Sequence, residues 1–317
     1  MEERLLALLR LAIITKASDI HFIVKEGKMN ILMRIDGENR KIKIMPGDKK
    51  LIRYLQYLAN LDVGQLNIPQ TGQFEIEVDN SLLSLRFAFV RSLKLVSGVL
   101  RILNNNLKID GNRLSNNDSQ NIFFKNLLNM RNGLVLFSGP TGSGKTTTLY
   151  SLLNTKKDKI IYTIEDPIEI YNDNFIQVQI NEKQNLDYEE GIKQIMRHDP
   201  DIIMIGEIRD KKAATMAIRA ANTGHLVLAT IHASSASSCI SRMIDLGANE
   251  NHLYEMLLCI INQRMIIKKG EKQVVYEIMD KKEIEYYSMN HCNSNSFISI
   301  EKQINRGIED GTIKLIK

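Results

Sequence analysis

The chain has 317 residues, enough for about two domains at roughly 150 residues each. With 44% hydrophobic and 25% charged residues it has ordinary globular composition, and a net charge of +5 from 42 basic and 37 acidic residues does not by itself indicate nucleic-acid binding; an acidic partner or an anionic membrane surface is equally compatible. The three scattered cysteines, Cys239, Cys259 and Cys292, form no C-x-x-C pair, so neither a zinc cluster nor a disulfide framework is expected, and the compartment is expected to be reducing.

The first predicted element is a helix over Glu2–Thr15. Its acids at positions 2 and 3, and Arg10 inside its apolar run, do not fit a signal peptide. No run of about 18 apolar residues predicts a transmembrane helix, so the expected location is the cytoplasm, with peripheral docking on the inner face of the cell membrane. "SDIHFIV" and "MNILMRI" read as strands around a turn at Gly27, and "KKLIRYLQYLANL" has helical spacing. "QFEIEV", "SLLSLRFAFV" and "SGVLRIL" add three strands, giving a small mixed α/β domain over 1–103 with a mainly antiparallel sheet. Residues 104–118, rich in Asn, Asp and Gly, are the expected linker and hinge. Then "GLVLFSG", "KIIYTIE", "DIIMIG" and "HLVLATI" form near-continuous apolar runs separated by helical stretches. That pattern predicts a mainly parallel, doubly wound sheet in a domain over 119–280. The tail, 281–317, is polar, with "NHCNSNSF" as a loop, and is expected to pack on this second domain.

The strand "GLVLFSG" runs into "GPTGSGKTTTLYSLL", which fits the P-loop pattern in its required strand–loop–helix context. Gly139, Gly142 and Gly144 let the backbone turn tightly so that successive N–H groups face one anion, and the following helix adds its positive end. Lys145 is placed to neutralise β- and γ-phosphates, and the Thr146 hydroxyl to ligate Mg²⁺. The loop alone does not distinguish ATP from GTP, or a motor from a kinase. Hydrolysis also needs acids, and two strand ends supply them: Glu165 and Asp166 in "YTIEDPIEI", and Glu207 in "IIMIGEIRD". From the local sequence alone, a capped turn at 165–166 and a solvated Glu207 paired with Arg209 or Lys211 remain alternatives. His225 opens the next strand and His232 ends it; seven residues apart, they face opposite sides and do not make one metal site, while His232 can donate to phosphate.

"GPTGSGKTTTLYSLL", "TIEDPIE", "RHDPDIIMIGEIRD" and "AANTGHLVLATIHASSA", in this order, resemble the Walker A, Asp box, Walker B and His box of the secretion ATPases. These are hexameric motors of type II secretion, type IV pili and competence pili. "ASDIHF", "RIDG" and "PQTGQFEIEV" are similar to that family's N-terminal sensor-like domain, and the likeness spans about residues 10–280. The resemblance implies a RecA-like P-loop ATPase domain with a PAS-like domain before it, and ATP with Mg²⁺ as cofactors. Gly139, Pro140, Thr141, Gly142, Ser143, Gly144, Lys145, Thr146 and Thr147 would cradle the nucleotide. Thr146, Glu165 and Asp166 would serve the metal, with Glu165 also in the water network, and Glu207 would position the attacking water. His225 and His232 would link nucleotide state to the sheet, while Arg86 and Arg101 would reach nucleotide across a domain or subunit boundary. Gly206 would give Glu207 room beside the γ-phosphate. A homo-hexamer working on a polytopic inner-membrane platform protein is implied, with no direct nucleic-acid binding.

The chain departs from the family at Gln73, where a cation is usual, and at Lys193 in the helix before Walker B. The cysteine-rich subdomain, the extra N-terminal docking domain and the "AIRN"-type stretch of retraction motors are not expected in it. In this it most resembles the competence-pilus assembly ATPase of Gram-positive bacteria. A nucleic-acid translocase on the same core, or a retraction motor, are the alternatives.

Overall fold

Two kinds of apolar pattern build two different sheets. The computed structural model describes residues 1–35, 37–65, 67–103, 111–181, 184–268, 271–309 and 313–315, with backbone alone at 267–268, 271–272, 306–309 and 313–315. Asp36 of the "RIDG" stretch and residues 104–110 of the expected linker lie outside the described residues. The chain divides into two units, Met1–Asn106 and Leu107–Lys317.

The N-terminal unit runs α1 (Glu2–Ile14), β1 (Asp19–Lys25), β2 (Lys28–Ile35), β3 (Glu38–Ile42), α2 (Lys49–Leu58), β4 (Gln70–Val78), β5 (Ser81–Arg91) and β6 (Leu95–Leu103). Its strands form one antiparallel sheet in the order β3-β2-β1-β6-β5-β4. Alternation along the strands turns Ile20, Phe22, Met33 and Phe87 to one face, where they pack with Leu5 and Leu8 of α1 and Leu51 and Leu55 of α2. Strand β3 is not expected from "ENRKI", which has almost no apolar content. It forms at the sheet edge with its side chains almost wholly exposed, and such charged edges resist pairing with another chain.

The C-terminal unit runs α3 (Asp118–Leu127), β7 (Gly133–Ser138), α4 (Lys145–Leu153), β8 (Ile161–Glu165), β9 (Ile176–Gln179), α5 (Tyr188–Ile195), β10 (Ile202–Ile205), α6 (Lys211–Asn222) and β11 (Leu226–Ile231). It continues through α7 (Ala236–Asp245), α8 (Glu250–Met256), β12 (Leu257–Lys268), β13 (Glu271–Met279), α9 (Lys281–Asn290), α10 (Ile300–Glu309) and β14 (Ile313–Leu315). The sheet order is β13-β12-β7-β11-β10-β8-β9, with β14 also on β12. Pairing is parallel from β12 across to β9, and β13 and β14 run antiparallel to β12. Every residue of β7, β10 and β11 is buried, which is why these strands read as unbroken apolar runs. Because β7, β8, β10 and β11 are parallel and in register, Ser138, Glu165, Ile205 and Ile231 end at one edge of the sheet, and the loops after them meet there.

The polar tail forms two helices around the expected loop, and Phe297, Ile300 and Ile304 are buried. Glu277 on β13 anchors it. This buried carboxylate accepts from the Ala236 N–H at 2.6 Å and from the Ile300 N–H at 2.7 Å, so it serves the N-terminal ends of both α7 and α10.

Candidate functional site

The phosphate loop is shaped by what lies beneath it. Gly139 has φ +141°, and a Cβ there would stand 2.2 Å from the Gln263 carbonyl oxygen, so only glycine permits the turn. Gly144, at φ +85°, takes the left-handed conformation at the N-cap of α4. Lys145, the first residue of α4, folds back, and its Nζ donates to the carbonyls of Gly139 at 2.8 Å and Pro140 at 3.1 Å. Burial pulls the Lys145 pKa down, against the charges of Glu207 and Glu169. A buried ammonium held by two carbonyls, at the start of a helix, is a site built for an anion.

Facing this loop, the strand ends present their acids to a shared cavity of about 440 Å³ lined by Thr141, Lys145, Thr146, Glu165, Asp166 and Glu207, among others. Glu207 is held at both oxygens. Arg209 Nε donates to Oε2 at 2.7 Å, and His232 Nε2 lies 3.1 Å from Oε1. Arg209 also reaches Asp166, at 3.8 Å, and so ties the two acidic strand ends together. Glu165 is buried, and its Oε1 accepts from Tyr150 at 2.5 Å and Thr163 at 2.7 Å. Burial pushes the Glu165 carboxyl above the usual range, against those hydrogen bonds and one from Gln177. A Cβ at Gly206 would lie 3.0 Å from Glu165 Cγ and 3.2 Å from the Ile164 carbonyl, so the glycine also leaves room for Glu165 on the neighbouring strand. Thr230 donates to the Gly206 carbonyl and fixes the turn, and Asp210 caps α6 by accepting from Ala213 N–H at 2.8 Å.

The lining offers donors for phosphate and oxygen ligands, although among the described residues no group of three or more His, Cys, Asp or Glu side chains forms a metal site. The loop and Lys145 suit phosphate, and the hydroxyl and carboxylate oxygens of Thr146, Glu165 and Asp166 suit a hard cation such as Mg²⁺. Gly142, Gly144, Thr147 and His232 also line the cavity. Gly139 and Ser143 are instead buried outside its lining, and Pro140 is exposed. His225 stands at the opposite end of β11, where its Nδ1 lies 3.2 Å from both Thr223 Oγ1 and the Ala220 carbonyl. Arg209, Tyr150 and Glu169 join the site without having been assigned a role in it from the sequence. Arg209 is the one a local signal points to, two residues from Glu207.

Arg86 and Arg101 belong to the N-terminal unit, directly opposite one another on β5 and β6. Asp19 is opposite Arg101 on β1, and Gln73 opposite Arg86 on β4, so the four form a row across the sheet. Arg101 Nε donates to the buried Asp19 at 2.7 Å, which offsets the repulsion of two facing arginines. Burial alone pushes the Asp19 carboxyl up, but hydrogen bonds from Arg101 and Ser18 and the Arg101 charge outweigh it, and the net shift is downward. A carboxylate with a depressed folded pKa adds stability above its unfolded pKa, near 3.9, and that contribution is lost as pH falls through the folded value. Thermal melts are therefore expected to show the N-terminal unit weakening below about pH 4, and Asp19→Asn to flatten that part of the profile.

Among the described residues no helix is long and apolar enough to cross a membrane. The family model for type II/IV secretion system proteins matches residues 1–305. Competence protein ComGA of Bacillus subtilis (strain 168) is 36% identical over 260 residues, which cover 80% of this chain and 73% of the relative. The putative type II secretion system protein E of Escherichia coli (strain K12) is 37% identical over 266 residues, 82% of this chain and 54% of the relative, so the chain spans about half the length of that protein. Among solved structures, the pilus retraction motor PilT with bound ADP superposes with a TM-score of 0.74 at 27% identity, covering 98% of this chain and 94% of that one. The Legionella pneumophila ATPase DotB superposes with a TM-score of 0.75 at 20% identity, covering 96% and 91%, and speaks to the fold alone. The C-terminal unit thus has the RecA-like fold of the secretion ATPases, and the chain belongs to the type II/IV secretion system protein family.

Proposed function

We propose that the chain is an ATP-hydrolysing motor subunit that drives assembly of a competence-type pilus or pseudopilus, for DNA uptake or secretion. The observation that carries this reading is the single cavity where the phosphate loop and Lys145 meet Glu165, Asp166 and Glu207. Residues 139–147 bind the phosphates. Thr146, with Glu165 and Asp166, would hold Mg²⁺, which would supply charge neutralisation at the phosphate oxygens. Glu207 orients the attacking water, and Arg209 and His232 hold its carboxylate in place beforehand. The similarity to ComGA and to type II secretion system protein E supports assembly as the task.

The working unit in this reading is a homo-hexamer at the cytoplasmic face of the membrane, engaged with a polytopic platform protein. Arg86 and Arg101 supply positive charge to the transferring phosphate of a neighbouring subunit. The test is phosphate release from ATP and Mg²⁺ by the purified chain, alone and in mixtures. Arg86→Ala and Lys145→Ala subunits should each be inactive alone and regain turnover when mixed, because each leaves intact what the other lacks. No turnover by the unaltered protein would overturn the reading; mixtures that stay dead would overturn the shared site.

A further inference from the structure

β12 passes beneath the phosphate loop, and three successive polar residues on it each hold part of the site. Asn262 is fully buried; its Oδ1 accepts from Ser138 at 3.2 Å, and its Nδ2 donates to the Ser234 carbonyl at 3.1 Å. Arg264 donates to that same carbonyl at 3.3 Å. Between them Gln263, also fully buried, donates from Nε2 to the Ser143 carbonyl at 2.5 Å. Its own carbonyl fills the space beside Gly139, and its Nε2 is the first atom a Cβ on Gly144 would meet, at 3.2 Å. One residue, through its backbone carbonyl and its side chain, thus underlies three residues of the loop.

Two atoms are left over. Gln263 Oε1 and Ser143 Oγ are both buried and without a partner, on two residues already joined by a hydrogen bond. An unpartnered buried acceptor and an unpartnered buried hydroxyl each cost free energy. Reversing the amide is no remedy, because it would turn the oxygen onto the Ser143 carbonyl.

We infer that Gln263 is a positioning residue with two settings, resting on the reading of this loop as the nucleotide site. In the conformation seen, Nε2 holds the Ser143 carbonyl. When phosphate draws the loop's N–H groups toward itself, Ser143 turns and its hydroxyl donates to Gln263 Oε1. The new hydrogen bond satisfies both leftover atoms and favours the phosphate-engaged loop. β12 thereby senses occupancy from below, and it is the same strand that holds the Ser234 loop beyond His232.

The experiment is a double-mutant cycle of Ser143→Ala and Gln263→Met, read by calorimetric binding of ADP and by thermal melts without nucleotide. Each single variant is expected to weaken ADP binding about three- to tenfold, the worth of one hydrogen bond, and the double variant no more than the weaker single. Without nucleotide the two substitutions should be additive in Tm, since no bond joins these two atoms in that setting. Multiplying losses in ADP binding would overturn the inference. So would ADP binding by Ser143→Ala equal to that of the unaltered chain, a measurement that stands even if the Gln263→Met variant does not fold. If the unaltered chain binds no ADP, the nucleotide reading itself fails and takes this one with it.

Discussion

Lys145→Ala is expected to weaken nucleotide binding severely while leaving the protein folded. The ammonium is positioned to meet the phosphates, and charge-assisted hydrogen bonds contribute about 1.5–3 kcal/mol each, so ADP affinity should fall by roughly two orders of magnitude or more. The fold should be indifferent. Lys145 is buried with a lowered pKa, which means the folded state penalises its charge at neutral pH, and its partners are only the carbonyls of Gly139 and Pro140. Calorimetry with ADP and a melt without nucleotide check the two halves. Turnover within about threefold of the unaltered chain would remove Lys145 from the site.

Glu207→Gln separates binding from chemistry. The amide keeps the size of the side chain but cannot match the carboxylate's pull on Arg209 and His232, or accept a proton from water. ATP affinity should change by no more than a few-fold, while the rate of phosphate release drops by about 10²–10⁴. The variant should therefore accumulate bound ATP. If affinity collapses instead and falls with Mg²⁺ removed to the same level as the unaltered chain, Glu207 is a metal ligand and the water must be held by Glu165.

The parts of this molecule that could be read from the sequence are those whose physics is local. The glycines at 139, 142 and 144 sit at fixed offsets because the turn needs positive φ there, and all three have it. The strands ending at Ser138, Ile205 and Ile231 are almost wholly apolar, Ser138 and Thr230 apart, because both faces are covered. What could not be read depends on distant neighbours. β12 carries Asn262 and Gln263 in its middle, so it breaks the apolar run that marks a buried strand, and α8 runs directly into it at Leu257. Those polar residues make sense only against Ser138 and Ser143, more than a hundred positions away. Tyr150 reads as one more residue of the helix after the P-loop until its hydroxyl is seen on Glu165. The pairing of Glu207 with Arg209, which in the sequence is also the bland reading of that acid, is present, yet it lies inside the cavity. Gly206 is legible as unusual but not as the space for a side chain from the neighbouring strand.

Glu277 has a consequence for how this chain can be shortened. Its two oxygens are each assigned to a different helix start, one just after the His232 loop and one in the tail. Melting of the tail and loosening of the segment beyond His232 are therefore linked events: losing α10 strands one oxygen of a buried anion, at about 1–3 kcal/mol, on the residue that pins α7. A truncation ending ahead of Ile300 would not trim an appendage. It would act at the rim of the cavity beside the phosphate loop without altering any residue that lines it.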